Sequence, residues 1–293
     1  MLSHDTAQWR AIELLFEANL CNNGKDMMHI TMLGTGNALV TACYNTCFVV
    51  HDGDKKMLVD GGGGSQILTQ LEKADIGLSG IHDVFVTHRH IDHLLGIIWV
   101  IRIISQRMNK GCFDGNVQIY AHRELIDLMQ QMCAMLLQAK QTKYIGDRIC
   151  FVPVEDGETR TIIGHACTFF DTHSTKTKQF GFCMELDDGK KLTCCGDEPC
   201  HPLAEKYVCG SQWLLHEAFC LYEQADKYRP YEKNHSTVKD ACELAERLNV
   251  RNLVLYHTED DNIRMRKVLY YAEGSRYYHG RLLIPDDLEI ISL

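Results

Sequence analysis

Three imidazoles and a carboxylate fall within six positions in Thr87-His88-Arg89-His90-Ile91-Asp92-His93, at the end of an apolar run. A buried histidine ordinarily finds one hydrogen-bond partner and stays neutral, which accounts for one such residue but not for three. Imidazole nitrogen and carboxylate oxygen are ligands that borderline divalent metals accept, so this density points to metal binding. In an extended segment His88 and His90 project to the same side and can reach one ion. Asp92 and His93, where the chain turns into a helix, can face a second. One loop would then serve two sites.

The loop needs a strand before it and a helix after it, and the sequence offers both: an apolar strand over residues 83–87 and an apolar helix over about 92–108. Upstream, short β-branched or apolar runs at 29–33, 47–50 and 57–59 read as strands, followed by a helix over 65–73. Downstream come a strand at 117–120 and a helix at 124–139. Strands then recur at 148–154, 159–170, 180–186 and 190–195, with Asp156-Gly157 and Asp188-Gly189 as turn signals. After a strand at 213–215, helices over 236–248 and about 261–272 alternate with strands at 253–256 and 288–292. Two β-rich halves, each trailed by helices, predict an α/β chain folded as a four-layer α/β/β/α sandwich over residues 28–293. Ahead of it, residues 1–27 form an added segment. Trp9, Ile12, Leu14, Leu15, Phe16 and Leu20 fall near helical spacing there, and Asn22-Asn23-Gly24 closes the run.

The formal net charge of -9 gives no overall pull toward a polyanion, so nucleic-acid binding would require a local basic patch. Arg264, Arg266, Lys267 and Arg276, interleaved with Tyr270-Tyr271 and Tyr277-Tyr278, are the candidates; a helix face packed on the domain or on a second subunit is the commoner use of such a pattern. Fourteen cysteines in a chain of 293 residues are scattered rather than framed, which predicts reduced thiols. Asp5, Arg10, Glu13 and Glu17 interrupt any apolar leader near the N-terminus. No membrane association and a cytoplasmic location are therefore expected.

The pattern His88-X-His90-X-Asp92-His93 resembles the signature of the metallo-β-lactamase superfamily, and its surroundings look like ribonuclease Z. Leu33-Gly34-Thr35-Gly36 is similar to that family's opening strand and turn. Leu58-Val59-Asp60-Gly61-Gly62 resembles its second motif, whose aspartate typically supports the metal loop. Asp171-Thr172-His173 with Phe180-Gly181-Phe182 resembles the third histidine motif, Cys195-Gly196-Asp197 the bridging aspartate, and Leu255-Tyr256-His257 the last histidine. The resemblance implies two divalent ions, zinc before manganese or iron. His88, His90 and His173 would hold one, Asp92, His93 and His257 the other, with Asp197 between them and a shared hydroxide as nucleophile.

The fold also serves other hydrolyses, so the ligands alone do not name a substrate. Leu215-His216-Glu217-Ala218 and Asn234-His235-Ser236-Thr237 resemble the Glu and His motifs of ribonuclease Z and its phosphodiesterase relatives. A phosphodiester expels a poor alkoxide leaving group. The resemblance therefore implies His235 as general acid, with Glu217 orienting it and Asp92 essential among the ligands. His216 is expected to be structural. Thr237-Val238-Lys239-Asp240 reads as a capping box that sets His235 just ahead of a helix. The expected substrate is an RNA 3′ region or a small cyclic or nucleotide diester. The rivals are a thioesterase or lactamase-like hydrolase on the same metals and a non-catalytic scaffold.

Two departures weigh against transfer RNA. The long arm that ribonuclease Z enzymes often carry between the third histidine and the bridging aspartate has no room between Ser174 and Gly196. His257 is followed by Thr258-Glu259-Asp260-Asp261 instead of a Ser and an Arg-Tyr pair. The N-terminal segment suits a homodimer contact and a cover over the active-site mouth equally.

Overall fold

Alternation along the strands decides the architecture. In β2 (Cys47–Asp52), Phe48 and Val50 join one apolar cluster while Cys47 and Val49 join another, so both faces of the strand are covered. The computed structural model describes residues 28–293; the amphipathic helix expected over 7–20 lies outside them.

Two seven-stranded sheets stack face to face. The first is ordered β14 (Ile290–Ser292), β1 (His29–Gly34), β2, β3 (Lys55–Val59), β4 (Ile81–Phe85), β5 (Val117–Ala121) and β6 (Ile149–Pro153). The second is ordered β13 (Arg281–Leu283), β12 (Asn252–Tyr256), β11 (Trp213–Glu217), β10 (Lys191–Cys194), β9 (Phe180–Glu185), β8 (His165–Asp171) and β7 (Thr159–Ile162). Helices α1 (Gln66–Lys73), α2 (Ile91–Asn109) and α3 (Arg123–Leu136) send Ile67, Leu71, Ile97, Ile101, Leu125 and Met129 onto the outer face of the first sheet. Three short helices, α4 (Ala139–Thr142), α5 (Glu205–Val208) and α6 (Ala225–Tyr228), lie in connections. Val238, Ala241 and Ala245 of α7 (Val238–Arg247) and Tyr270 of α8 (Arg266–Gly274) cover the outer face of the second sheet. The expected α/β/β/α sandwich is thus the observed fold.

Between the sheets, Phe85 meets Phe169 and Phe182 at ring-centroid distances of 5.0 and 5.8 Å. Each fully buried ring contributes about 2–3 kcal/mol of transfer free energy. Strands β3, β4 and β5 are mutually parallel, as are β10, β11 and β12, and β8 runs with β10 because both pair antiparallel with β9. Within each sheet the carboxyl ends of these strands therefore share an edge, where α/β folds place their ligands.

Three expectations need correction. The strand expected over 159–170 is the hairpin β7–β8, because Ile163 (φ 48°) and Gly164 (φ 102°) adopt the left-handed pair that a two-residue turn requires. The helix expected from about 261 begins at Arg266, after a run of turns. Arg266 is also not available to nucleic acid. It is 1% exposed, and its guanidinium donates to the Thr35 and Thr258 hydroxyls, the Pro285 carbonyl and Asp286. Tyr270 and Tyr278 are buried with it. Every described cysteine is a free thiol, and among the described residues no helix is long and apolar enough to cross a membrane.

Helix α2 is seated on the Asp60-Gly61-Gly62 turn backbone to backbone. Gly61 N–H donates to the His93 carbonyl at 2.8 Å and Gly96 N–H to the Gly62 carbonyl at 2.9 Å. A Cβ on Gly96 would stand 1.7 Å from the Gly61 carbonyl oxygen. Gly96→Ala is accordingly expected to cost about 3 kcal/mol, read as a fall in Tm of roughly 6–12 °C; an unchanged melting curve would refute this close seating.

Candidate metal centre and its neighbours

Asp60 follows β3 with a left-handed backbone (φ 56°), which turns its carboxylate toward the loop after β4. Its Oδ1 accepts from the Thr87 backbone N–H at 2.8 Å. Its Oδ2 accepts from the Thr87 hydroxyl at 2.8 Å and from His93 Nδ1 at 2.7 Å. One carboxylate therefore pins both ends of the histidine loop. Because a carboxylate only accepts, His93 Nδ1 carries a proton and Nε2 faces inward.

The inward atoms converge. His88 Nε2 lies 2.8 Å from His90 Nδ1 and 3.5 Å from Asp197 Oδ2. Asp197 Oδ2 is also 3.6 Å from His93 Nε2 and 3.6 Å from His257 Nε2. Asp92 Oδ2 stands 3.5 Å from His93 Nε2 and 3.6 Å from His257 Nε2. Apart from the His88–His90 contact, these separations of 3.5–3.6 Å are long for hydrogen bonds. They suit donors sharing an ion, since two ligands each about 2.05 Å from a tetrahedral ion lie about 3.4 Å apart. The sets His88–His93–Asp197 and Asp92–His93–His257 each gather ligand atoms within 4.8 Å of one another. Among the described residues His93 Nε2 and both nitrogens of His257 are buried without a hydrogen-bond partner, and burying polar atoms so is costly unless something binds them. The nitrogen and oxygen donors fit divalent metal.

Electrostatics agree with that reading. Burial alone would pull the His93 imidazolium down, but the carboxylates of Asp92, Asp60 and Asp197 raise it to about 10. Burial would raise the acid groups of Asp92 and Asp197. Instead the facing histidines, His93 and His257 for Asp92 and His88, His93 and His257 for Asp197, hold both below the usual carboxylate range. His88 is held low by burial.

A third set, Glu217–His235–His257, adjoins the second. Glu217 ends β11 fully buried, and its Oε1 accepts from the Ser236 N–H. Its Oε2 and His235 Nδ1 lie 3.6 Å apart, each without another partner among the described residues. The His235 ring stacks on Phe219 (4.7 Å, 15°) and stands 5.3 Å from the His257 ring. Thr237 and Asp240 form the capping box that starts α7 two residues on. His216 points elsewhere, bonded to the Glu217 carbonyl and the Cys200 N–H.

His173 stands apart from these sets. It follows β8 with a left-handed backbone (φ 58°), is exposed, and its ring meets His201 at 5.1 Å. The neighbouring Thr172 is tied to Gln179, whose side-chain amide donates to His88 Nδ1 at 2.9 Å and to Asp197. Gln179, Glu198 and Lys176 escape a reading of the sequence. Glu198 accepts from Ser174 Oγ and Asn234 Nδ2, both at 2.7 Å, and Lys176 Nζ lies 3.3 Å from His235 Nε2. The only signal for Glu198 is an acid directly after Asp197, and no spacing marks a lone lysine.

Residues 28–271 match the family model described as anti-Pycsar protein Apyc1. The chain is similar to the ribonuclease Z of Bacteroides fragilis, 24% identical over 310 residues covering 90% of this chain and 98% of that protein. Among solved structures it resembles the metallo-β-lactamase fold protein YhfI of Bacillus subtilis, with a TM-score of 0.75 at 17% identity over 90% of this chain and 99% of that one. It also resembles human tRNase Z, short form, with a TM-score of 0.68 at 21% identity over 90% and 99%.

Proposed function

We propose that this chain, which belongs to the family of the anti-Pycsar protein Apyc1 and is a metal-dependent hydrolase of the ribonuclease Z-like metallo-β-lactamase fold, cleaves a small cyclic or nucleotide phosphodiester. The observation that carries the reading is the Glu217–His235 pair beside the ligand cluster, Nδ1 to Oε2 3.6 Å, with the imidazole clamped by Phe219. Thioester cleavage expels a thiolate and has no comparable need for a second acid.

His88, His90 and His173 would hold one ion and Asp92, His93 and His257 the other, with Asp197 between them. Zinc suits this donor set, and manganese or iron are compatible. Two such ions supply Lewis acidity to the phosphoryl oxygens and an acidified water. The protein's own groups do the rest. Asp60 fixes the tautomer of His93, and Gln179 ties His88 to Asp197. His235 delivers a proton from Nε2 to the departing oxygen while Glu217 holds Nδ1.

A small diester is favoured over RNA for three reasons. The chain is acidic, the segment from Ser174 to Gly196 holds only β9, β10 and their connections, and Arg266, Tyr270 and Tyr278 are buried.

Metal analysis together with a screen of cyclic nucleotides, short diesters, pre-tRNA and a thioester tests the reading. Cyclic nucleotide turnover with bound divalent metal is expected; thioester turnover indifferent to His235 would overturn it. His235→Ala should reduce turnover by about 10²–10³-fold for alkyl leaving groups and by far less for bis(p-nitrophenyl) phosphate, whose leaving group needs little protonation. Equal losses for both substrates would rule out the acid role.

A further inference from the structure

We propose that Lys176 is a second donor to the departing oxygen, held in place by Glu198; this rests on the phosphodiesterase reading of the same site. Lys176 sits in the connection between β8 and β9, and its ammonium lies 3.3 Å from His235 Nε2, the nitrogen that faces away from Glu217. An ammonium only donates, so a neutral His235 accepts from it at Nε2, and once Nε2 is protonated the two groups no longer bond each other and both present a proton to an incoming oxygen. An oxygen arriving to take a proton from His235 must enter where Lys176 Nζ already points. It would meet two donors there, and the charge that develops on it as the P–O bond breaks would lie beside a cation.

The placement is built rather than incidental. Glu198 is 3% exposed and stands 3.8 Å from Lys176 Nζ through Oε1. The same Oε1 accepts from the Ser174 hydroxyl, and Ser174 Oγ in turn accepts from the backbone N–H groups of Lys176 (3.2 Å) and Thr177 (3.3 Å). The other oxygen accepts from Asn234 Nδ2, and Asn234, left-handed at φ 53°, immediately precedes His235. One buried carboxylate therefore joins the connection carrying Lys176 to the loop carrying His235 and fixes the gap between the two donors. Glu198 is a positioning residue; Lys176 is the group that touches substrate.

The step balances simply. Water adds its oxygen to phosphorus and gives up one proton to solvent, the P–O bond to the ribose oxygen breaks, and that oxygen leaves as a hydroxyl with the Nε2 proton of a doubly protonated His235, which solvent then restores, while Lys176 keeps its own protons and contributes charge and a hydrogen bond.

Lys176→Met and Lys176→Arg are compared on a cyclic nucleotide and on bis(p-nitrophenyl) phosphate. Metal content and thermal melting serve as checks on integrity. Lys176→Met is expected to lower kcat on the cyclic nucleotide about 10²-fold with KM moved less than threefold, and to cause a loss at least tenfold smaller on the activated diester. Lys176→Arg should recover most of the difference, and Glu198→Gln should show the same split at about a tenfold loss. Equal losses on both substrates, a change confined to KM, or wild-type turnover by Lys176→Met would overturn the proposal while the phosphodiesterase reading stands. Failure of the wild-type protein to cleave any phosphodiester would remove both.

Discussion

Asp197→Asn is expected to lower turnover of bis(p-nitrophenyl) phosphate by about 10³-fold or more, with the fold retained. The Oδ2 atom of Asp197 is the one oxygen within 3.6 Å of three inward-facing imidazoles, those of His88, His93 and His257. Replacing it with an amide removes the negative charge that these three imidazoles share. Lewis-acid stabilisation of a phosphoryl transition state is worth several kcal/mol, and each 1.36 kcal/mol is tenfold in rate. Asp92→Ala should be comparably damaging, since Asp92 bridges His93 and His257 on the other side. His173→Ala is the informative companion. A loss of about 10²-fold is expected if its exposed imidazole swings in to complete the first position, and full activity would exclude it as a ligand.

The second large effect is on stability. Two buried carboxylates, His88, His93 and His257 crowd one volume, and several of their polar atoms have no partner. A ligand that binds only the folded state stabilises it by about 4 kcal/mol at a concentration a thousandfold above its Kd. Zinc added to chelator-stripped protein is therefore expected to raise Tm by about 10 °C. Binding should also strengthen with pH. The His93 imidazole is held protonated to about pH 10 by its carboxylates, and an ion must displace that proton. Without metal the sign reverses: because the folded value lies above the ordinary 6.5, the stability that His93 contributes is full below about pH 6.5 and is lost as pH rises through 10. Calorimetric melts with and without zinc between pH 6 and 9 would check both directions; a Tm indifferent to zinc would contradict the reading of this cluster as a metal centre.

The sandwich was legible because its strands alternate between two apolar environments and its helices carry apolar stripes, as β2 and α7 illustrate. The histidine loop was legible because its residues are adjacent in sequence. What failed was local. Ile163-Gly164 folds the run 159–170 back on itself, and the brief β13 carries too few residues to register as a pattern. Arg266 looked like a surface cation because arginine usually is one; only the converging acceptors from Thr35, Thr258 and Pro285 reveal its role. Lys176 and Glu198 matter through contacts spanning 22 to 59 positions, which no short spacing encodes.

Asp60, His173 and His257, each just past the end of a strand, hold φ of 56°, 58° and 57°. Side chains with a Cβ pay roughly 1–2 kcal/mol for that conformation, and glycine pays none. At exposed His173 a glycine would relieve this cost while sacrificing almost no packing. Selection for thermal endurance alone would therefore tend to exchange this side chain before it touched the scaffold, and stabilised descendants of this sequence should be assayed for turnover at every round.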